Sequence, residues 1–229
     1  MFPLRDTRPT RTFPFVNYLI IGITIYAFFL QLSAPDFDKF LLDYAFIPTR
    51  FNFFDVDSYK YILYSIFLHG GIFHIASNLW FLHIFGDNVE DSLGHIRYLI
   101  FYLLAGTAAV FAQYIFSVDS TIPMIGASGA ISGVTGAYFV LVRNSKIEAL
   151  VILGFFIQRI NLSSTFFLGY WFFIQLFSGI GSVSTIDPQM GGVAYFAHIG
   201  GFLFGYLFAK QIDRGRIVEY LSPNEDRLL

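Results

Sequence analysis

The sequence predicts an all-α, polytopic membrane protein with six transmembrane helices. Three observations lead there. Of 229 residues, 55% are hydrophobic and only 13% charged, about half the charged share of an ordinary soluble domain. The mean hydropathy is +0.61. Six apolar runs recur along the chain, most of them near the roughly 20 residues that cross about 30 Å of hydrocarbon. The formal net charge of −2 gives no indication of a nucleic-acid partner, and the absence of Cys excludes disulfides, thiolate metal sites and a cysteine nucleophile.

The first run, Phe13 to Leu32, follows Arg5, Arg8 and Arg11, a pattern shared with secretory signals. Its length exceeds a usual signal core and five further runs follow, so it is read as the first helix. Tyr59 to Leu68 is apolar but is cut from its successor by His69-Gly70-Gly71. The Gly pair lets the chain turn, so this piece is expected to be a partly buried loop element. The second span is Ile72 to Gly86 and the third Arg97 to Phe116. The fourth, Ser128 to Leu141, is short. Lys146 to Gln158 has charge at its ends and is assigned to the membrane interface. Thr165 to Gly181 and Val193 to Lys210 complete the six. The expected organisation is a cytoplasmic tail over 1–12, a membrane-embedded domain over 13–210 and a cytoplasmic tail over 211–229. With six spans, eleven of the 14 Lys and Arg residues fall on the side of the termini, which puts both termini in the cytoplasm.

Polar side chains inside the spans are the candidates for chemistry, because such groups are costly in lipid unless they meet a partner or a cavity. Ser128 opens the fourth span and His198 enters early in the sixth, at roughly 1.5 Å per residue within ~10 Å of the outer boundary. His74 and Asn78 stand near the outer end of the second, spaced i, i+4 on one helical face. Three helices thus bring a hydroxyl, two imidazoles and an amide to similar depth.

Around Ser128 the sequence reads PMIGASGAISGVTGA. Gly126, Gly129 and Gly133 there, and Gly201 and Gly205 on the sixth helix, are small residues of the kind that let helices touch in lipid. His198 lies three residues before Gly201 and so shares its face. Packing of the two glycine faces carries His198 toward Ser128. A serine hydroxyl needs a base to take its proton, and His198 is the candidate. The Ser128 backbone N–H, Asn78 and His74 are candidate donors to a developing oxyanion. No carboxylate lies in a span beside His198, which points to a Ser-His dyad. Ser132 is expected to bond back to its own helix. His69, His83 and His95 are read as structural, and Asp87, Glu90 and Asp91, in an expected cytoplasmic loop, as capping groups.

The motifs GASG around Ser128, HIASN with His74 and Asn78, and AHIGGFLFG with His198, Gly201 and Gly205, together with FLHGGIFH and IFGDNVEDSLGH, make the chain resemble the rhomboid intramembrane serine proteases of bacterial type. The resemblance covers about Tyr59 to Ala209. It implies a serine endopeptidase that cleaves transmembrane segments near the outer bilayer face, without metal or other cofactor. Its partners would be transmembrane-helix substrates and the lipid bilayer, its place a bacterial inner (plasma) membrane. Ser128 would be the nucleophile, His198 the general base and acid, and His74 and Asn78 the oxyanion donors. The Trp-Arg pair that some members carry in the first external loop is absent near Lys60 and Tyr61. One turn after the nucleophile, where many members place an aromatic residue, this chain has Ser132. Tyrosines and phenylalanines are then the candidates to orient the imidazole. The competing classes are a catalytically silent relative that binds transmembrane helices and an unrelated transporter. Retention of both Ser128 and His198 argues against the first, and the lack of an internal repeat against the second.

Overall fold

The computed structural model describes residues 1–153, 156–185 and 192–221. It is mostly helical. Helix α1 spans Phe15–Ser33, α2 Phe37–Tyr44, α3 Lys60–Phe67, α4 Ile72–Leu93, α5 His95–Tyr114, α6 Ser128–Leu141, α7 Ser164–Thr185 and α8 Tyr195–Leu221. The six expected spans coincide with α1, α4, α5, α6, α7 and α8. By length and hydropathy, α1 and α5 qualify as full spans among the described residues, and the bent pair Val56–Phe67 with α4 makes a third if it counts as one span.

The all-α expectation needs correction. Phe2–Asp6 forms β1, Lys146–Leu153 forms β2 and Phe156–Ser163 forms β3, in one antiparallel sheet of order β1-β2-β3. The segment assigned to the interface is therefore most of a hairpin, with residues 154 and 155 outside the described residues. The physical signal is alternation: Ile147 and Ala149 are buried while Lys146 and Glu148 face away from the core, the two-residue period of a half-buried strand. Glu148 accepts an ion pair from Arg5 at 2.6 Å on β1 and stands 3.7 Å from Arg159 on β3. The first residues, expected as a tail, belong to this sheet and dock on α4, where Trp80 Nε1–H donates to the Pro3 carbonyl at 2.8 Å. At the other end α8 continues past Lys210 to Leu221, and residues 222–229 of the expected tail lie outside the described residues.

The acidic motif Asp87-Asn88-Val89-Glu90-Asp91 is the last part of α4 and not a loop. Its capping role holds. Glu90, fully buried, accepts from the backbone N–H groups of Val16 at 2.9 Å and Asn17 at 2.7 Å. It thereby satisfies donors that the first turn of α1 leaves unpaired, and its negative charge suits that end of the helix dipole. Asp91 takes the N–H of Thr12 at 2.9 Å. Gly94, at φ 81°, ends α4 and turns the chain straight into α5.

At His69-Gly70-Gly71 the chain bends by 85° between the helical segment ending at Phe67 and α4. Gln31 of α1 braces the bend through both its amide atoms, donating to the His69 carbonyl and accepting its N–H, each at 3.0 Å. The His69 imidazole is buried and works structurally: Nδ1 pairs with the Phe67 carbonyl at 3.1 Å and Nε2 accepts from the Ala127 N–H at 3.5 Å. The bend is thus tied directly to the residue preceding Ser128.

Helix α6 is the centre of the bundle. Every residue from Gly129 to Tyr138 is buried, as expected for a helix enclosed on all sides, and it packs on α8, α5 and α4. At 14 residues it covers only about 21 Å, short of a bilayer core.

Candidate active site

Ser128 is the first residue of α6, and His198 sits in the first turn of α8. What unites them is backbone contact. A Cβ added to Gly201 would run into the carbonyl of Gly129, and one added to Gly205 into the carbonyl of Gly133. With glycine at both positions α8 lies directly on α6, the close approach that small residues permit in lipid. Gly129 and Gly133 face α5 as well, where Ala109 and Ala105 stand in the way of any added Cβ. One helical turn before Gly201, His198 Nε2 then comes 2.8 Å from Ser128 Oγ.

The imidazole has two further neighbours, both on α7. Gln175 Oε1 lies 2.7 Å from His198 Nδ1, and the Trp171 ring stands 6.0 Å from the His198 ring at 35°. Neither is among the orienting groups the sequence suggests, which are tyrosines and phenylalanines. The available signal was an amide inside the apolar run Phe166 to Phe177, since a polar group at that depth requires a partner. Ser132, at the position where an aromatic was absent, donates its hydroxyl to the Ser128 carbonyl at 2.6 Å, the bond back to its own helix that the sequence suggested.

His74 and Asn78 rise from the first two turns of α4 toward the same place. The Gly70 N–H points at His74 Nδ1 at 3.4 Å, a contact that suits the tautomer protonated on Nε2, which offers a donor there. Gly126 is not at a helix–helix contact. It lies in the loop before α6 with φ 117°, and a Cβ there would sit 2.8 Å from His74 Nε2 and 3.7 Å from Ser128 Oγ. Glycine is required on both counts, the backbone region and the space. The loop is held by the Met124 N–H on the Phe46 carbonyl at 2.8 Å and the Gly126 N–H on the Ser65 carbonyl at 2.9 Å. The Asn78 side chain is buried, and its Nδ2 has no hydrogen-bond partner among the described residues.

These groups line a cavity of about 920 Å³ that takes in His74, Asn78, Ser128, Trp171 and His198. Ser128 stands at the N-terminus of α6, where free backbone N–H groups and the helix dipole favour negative charge. A hydroxyl paired with an imidazole, beside a donor imidazole, an unpaired amide and a helix N-terminus, can attack a carbonyl and hold the oxyanion that results.

The fold and site define a multi-pass integral membrane protein with a serine–histidine pair set inside its helical bundle. The chain belongs to the rhomboid family: a rhomboid domain matches residues 57–212. It is 31% identical over 200 residues to rhomboid protease GluP of Bacillus subtilis, covering 87% of this chain and 35% of that protein. It is 30% identical over 148 residues to the human presenilin-associated rhomboid-like protein, mitochondrial, covering 63% of this chain and 35% of the other. Similarity to RHOMBOID-like protein 6, mitochondrial, of Arabidopsis thaliana is 29% over 145 residues, 63% of this chain and 41% of the relative. The chain thus spans well under half the length of these three relatives.

Proposed function

We propose that this protein is an intramembrane serine endopeptidase that cleaves transmembrane segments of other membrane proteins near the outer bilayer face. The observation that carries the reading is the 2.8 Å pair of His198 Nε2 and Ser128 Oγ at a cavity. Six helices, α1, α4, α5, α6, α7 and α8, cross the bilayer in this reading, with residues 13–210 as the protease domain and both termini in the cytoplasm. The Lys and Arg distribution supports that orientation, and the similarity to the Bacillus protein over most of this chain supports a bacterial plasma membrane. Neither metal nor organic cofactor takes part.

In the reaction, Ser128 Oγ attacks the carbonyl carbon of the scissile peptide as His198 Nε2 takes the hydroxyl proton. The carbonyl oxygen becomes an oxyanion, held by the Ser128 N–H, His74 Nε2–H and Asn78 Nδ2–H. Collapse breaks the C–N bond, and His198 returns the proton to the leaving amine. Water, deprotonated by the same imidazole, then attacks the ester carbon and releases Ser128. A peptide bond in a helix is hydrogen-bonded and shielded, so the substrate must unwind locally, which favours small or helix-destabilising residues at the cut.

The test is turnover of a transmembrane substrate by protein reconstituted in liposomes, with a fluorophosphonate probe as a second readout. Ser128→Ala and His198→Ala each abolish cleavage while the protein stays folded, and the double variant is no worse than either alone, because the two act as a unit. Wild-type turnover in folded Ser128→Ala overturns the reading.

A further inference from the structure

Gln175 is the only amide side chain between Phe166 and Phe177, and its Oε1 is spent on His198 Nδ1 at 2.7 Å. An amide oxygen only accepts, so this contact favours the tautomer with the imidazole proton on Nδ1. This leaves the Nε2 lone pair facing the Ser128 hydroxyl at 2.8 Å, the tautomer in which an imidazole can take a proton from serine. Were the amide reversed, its NH₂ would force the proton onto Nε2 and the lone pair would point away from Ser128.

Trp171 and Gln175 are spaced i, i+4 and share one face of α7. The ring packs near the imidazole at 6.0 Å while the amide fixes its rotation. Ser132 supplies no ring from α6, being bonded back to the Ser128 carbonyl. A buried carboxylate does this orienting work in three-member arrangements. At membrane depth an ionised carboxylate is expensive, whereas a neutral amide accepts the same hydrogen bond without a charge.

We propose that Gln175 is a positioning residue that fixes the tautomer and ring orientation of His198, so that the nucleophile and base of α6 and α8 become competent only with α7 docked against α8. The two helices touch closely where Gly179 faces Ile199 and Tyr195, with an added Cβ 3.2 Å and 3.3 Å from their side chains. The inference rests on the reading of Ser128 and His198 as nucleophile and base.

The experiment compares Gln175→Leu, which keeps volume and removes the acceptor, with Gln175→Glu, which as the neutral acid favoured at this depth keeps a carbonyl acceptor at the same reach. Full-length protein in liposomes is assayed for kcat and KM on a transmembrane substrate and for the rate of fluorophosphonate labelling. Gln175→Leu lowers kcat and the labelling rate roughly 10- to 100-fold, the range for a hydrogen bond to a group that becomes charged, with KM within about 2-fold of wild type. Gln175→Glu restores most of both rates. Wild-type kcat in Gln175→Leu, or equal loss in both variants, overturns the assignment. The wild-type protein gives an independent measurement that needs no variant to fold: histidine-nitrogen NMR at neutral pH shows His198 protonated on Nδ1, and protonation on Nε2 overturns the proposal. Ser128→Ala is run alongside. If it is silent while Gln175→Leu behaves as wild type, only the role of Gln175 falls; if Ser128→Ala turns over normally, the dyad itself is refuted.

Discussion

His198 Nε2 lies 2.8 Å from Ser128 Oγ although 70 residues separate them, and the contact exists because the helices bearing them meet backbone to backbone. Gly201 sits on the Gly129 carbonyl and Gly205 on that of Gly133. The short distance is a result of helix packing before it is a result of chemistry. His198 is held on one side by Ser128 and on the other by Gln175, so three helices converge on one imidazole.

That dependence predicts the behaviour of Gly205, which is about 10 Å along α8 from His198. Gly205→Leu must push α8 off α6, an overpacking change that costs about 1–3 kcal/mol or more. Activity should fall at least tenfold and the midpoint of thermal unfolding should drop. The check is labelling rate and unfolding temperature of the same preparation, and unchanged labelling would detach the glycine contact from the site.

Gly126 carries a stricter constraint. Gly126→Ala places a methyl 2.8 Å from the His74 ring in a backbone region that side chains rarely adopt, with φ 117°. Strain of about 1–3 kcal/mol is expected for such a residue, released by moving His74 or the loop ahead of Ser128. Turnover should fall by more than tenfold at little change in substrate KM. A variant as fast as wild type would show that the loop has slack.

The proposed oxyanion role of His74 and Asn78 separates binding from rate. Asn78→Ala or His74→Ala removes one donor, which in hydrolases lowers kcat on the order of 100-fold. Both variants should still label with fluorophosphonate more readily than Ser128→Ala, since they retain the proposed nucleophile. Equal kcat in wild type and both variants would assign His74 and Asn78 to packing.

Outside the spans, Asp6 on β1 accepts from the Tyr138 hydroxyl and, at 2.8 Å, from Asn88 Nδ2. Burial raises its carboxyl above the usual range, and the hydrogen bond from Tyr138 opposes the rise. A raised folded-state value means that Asp6 favours folding when protonated, and that this contribution is lost as pH climbs through the folded value. Asp6→Asn, neutral and of the same shape, should flatten that part of the stability–pH curve and remain folded at pH 7, whereas Asp6→Ala should lower the unfolding temperature. Parallel stability curves for wild type and Asp6→Asn across acid to neutral pH would contradict this.

Helix positions were largely legible in the sequence because lipid leaves the backbone little choice. A segment that sheds its polar groups and stays apolar for about 20 residues becomes a helix, and the starts of α4, α6 and α8 fell within two residues of expectation. The sheet was not legible as a sheet. The alternation of Ile147 and Ala149 is short, and its first partner, Phe2–Asp6, lies over 140 residues away.

By itself the sequence determined that the chain enters membranes, singled out Ser128, His74, Asn78 and His198, which line one cavity, and showed that glycine faces on α6 and α8 match. All of these follow from hydropathy and from helical periods within single segments. Tertiary structure alone decided that Gln175 and Trp171 of α7 surround the imidazole, that Gly126 serves His74 and not a helix contact, and that the N-terminal residues pair with β2. Each of these depends on the rotation of one element about its own axis against a distant one. That rotation is fixed by the sum of packing contacts across the bundle, which no local spacing encodes.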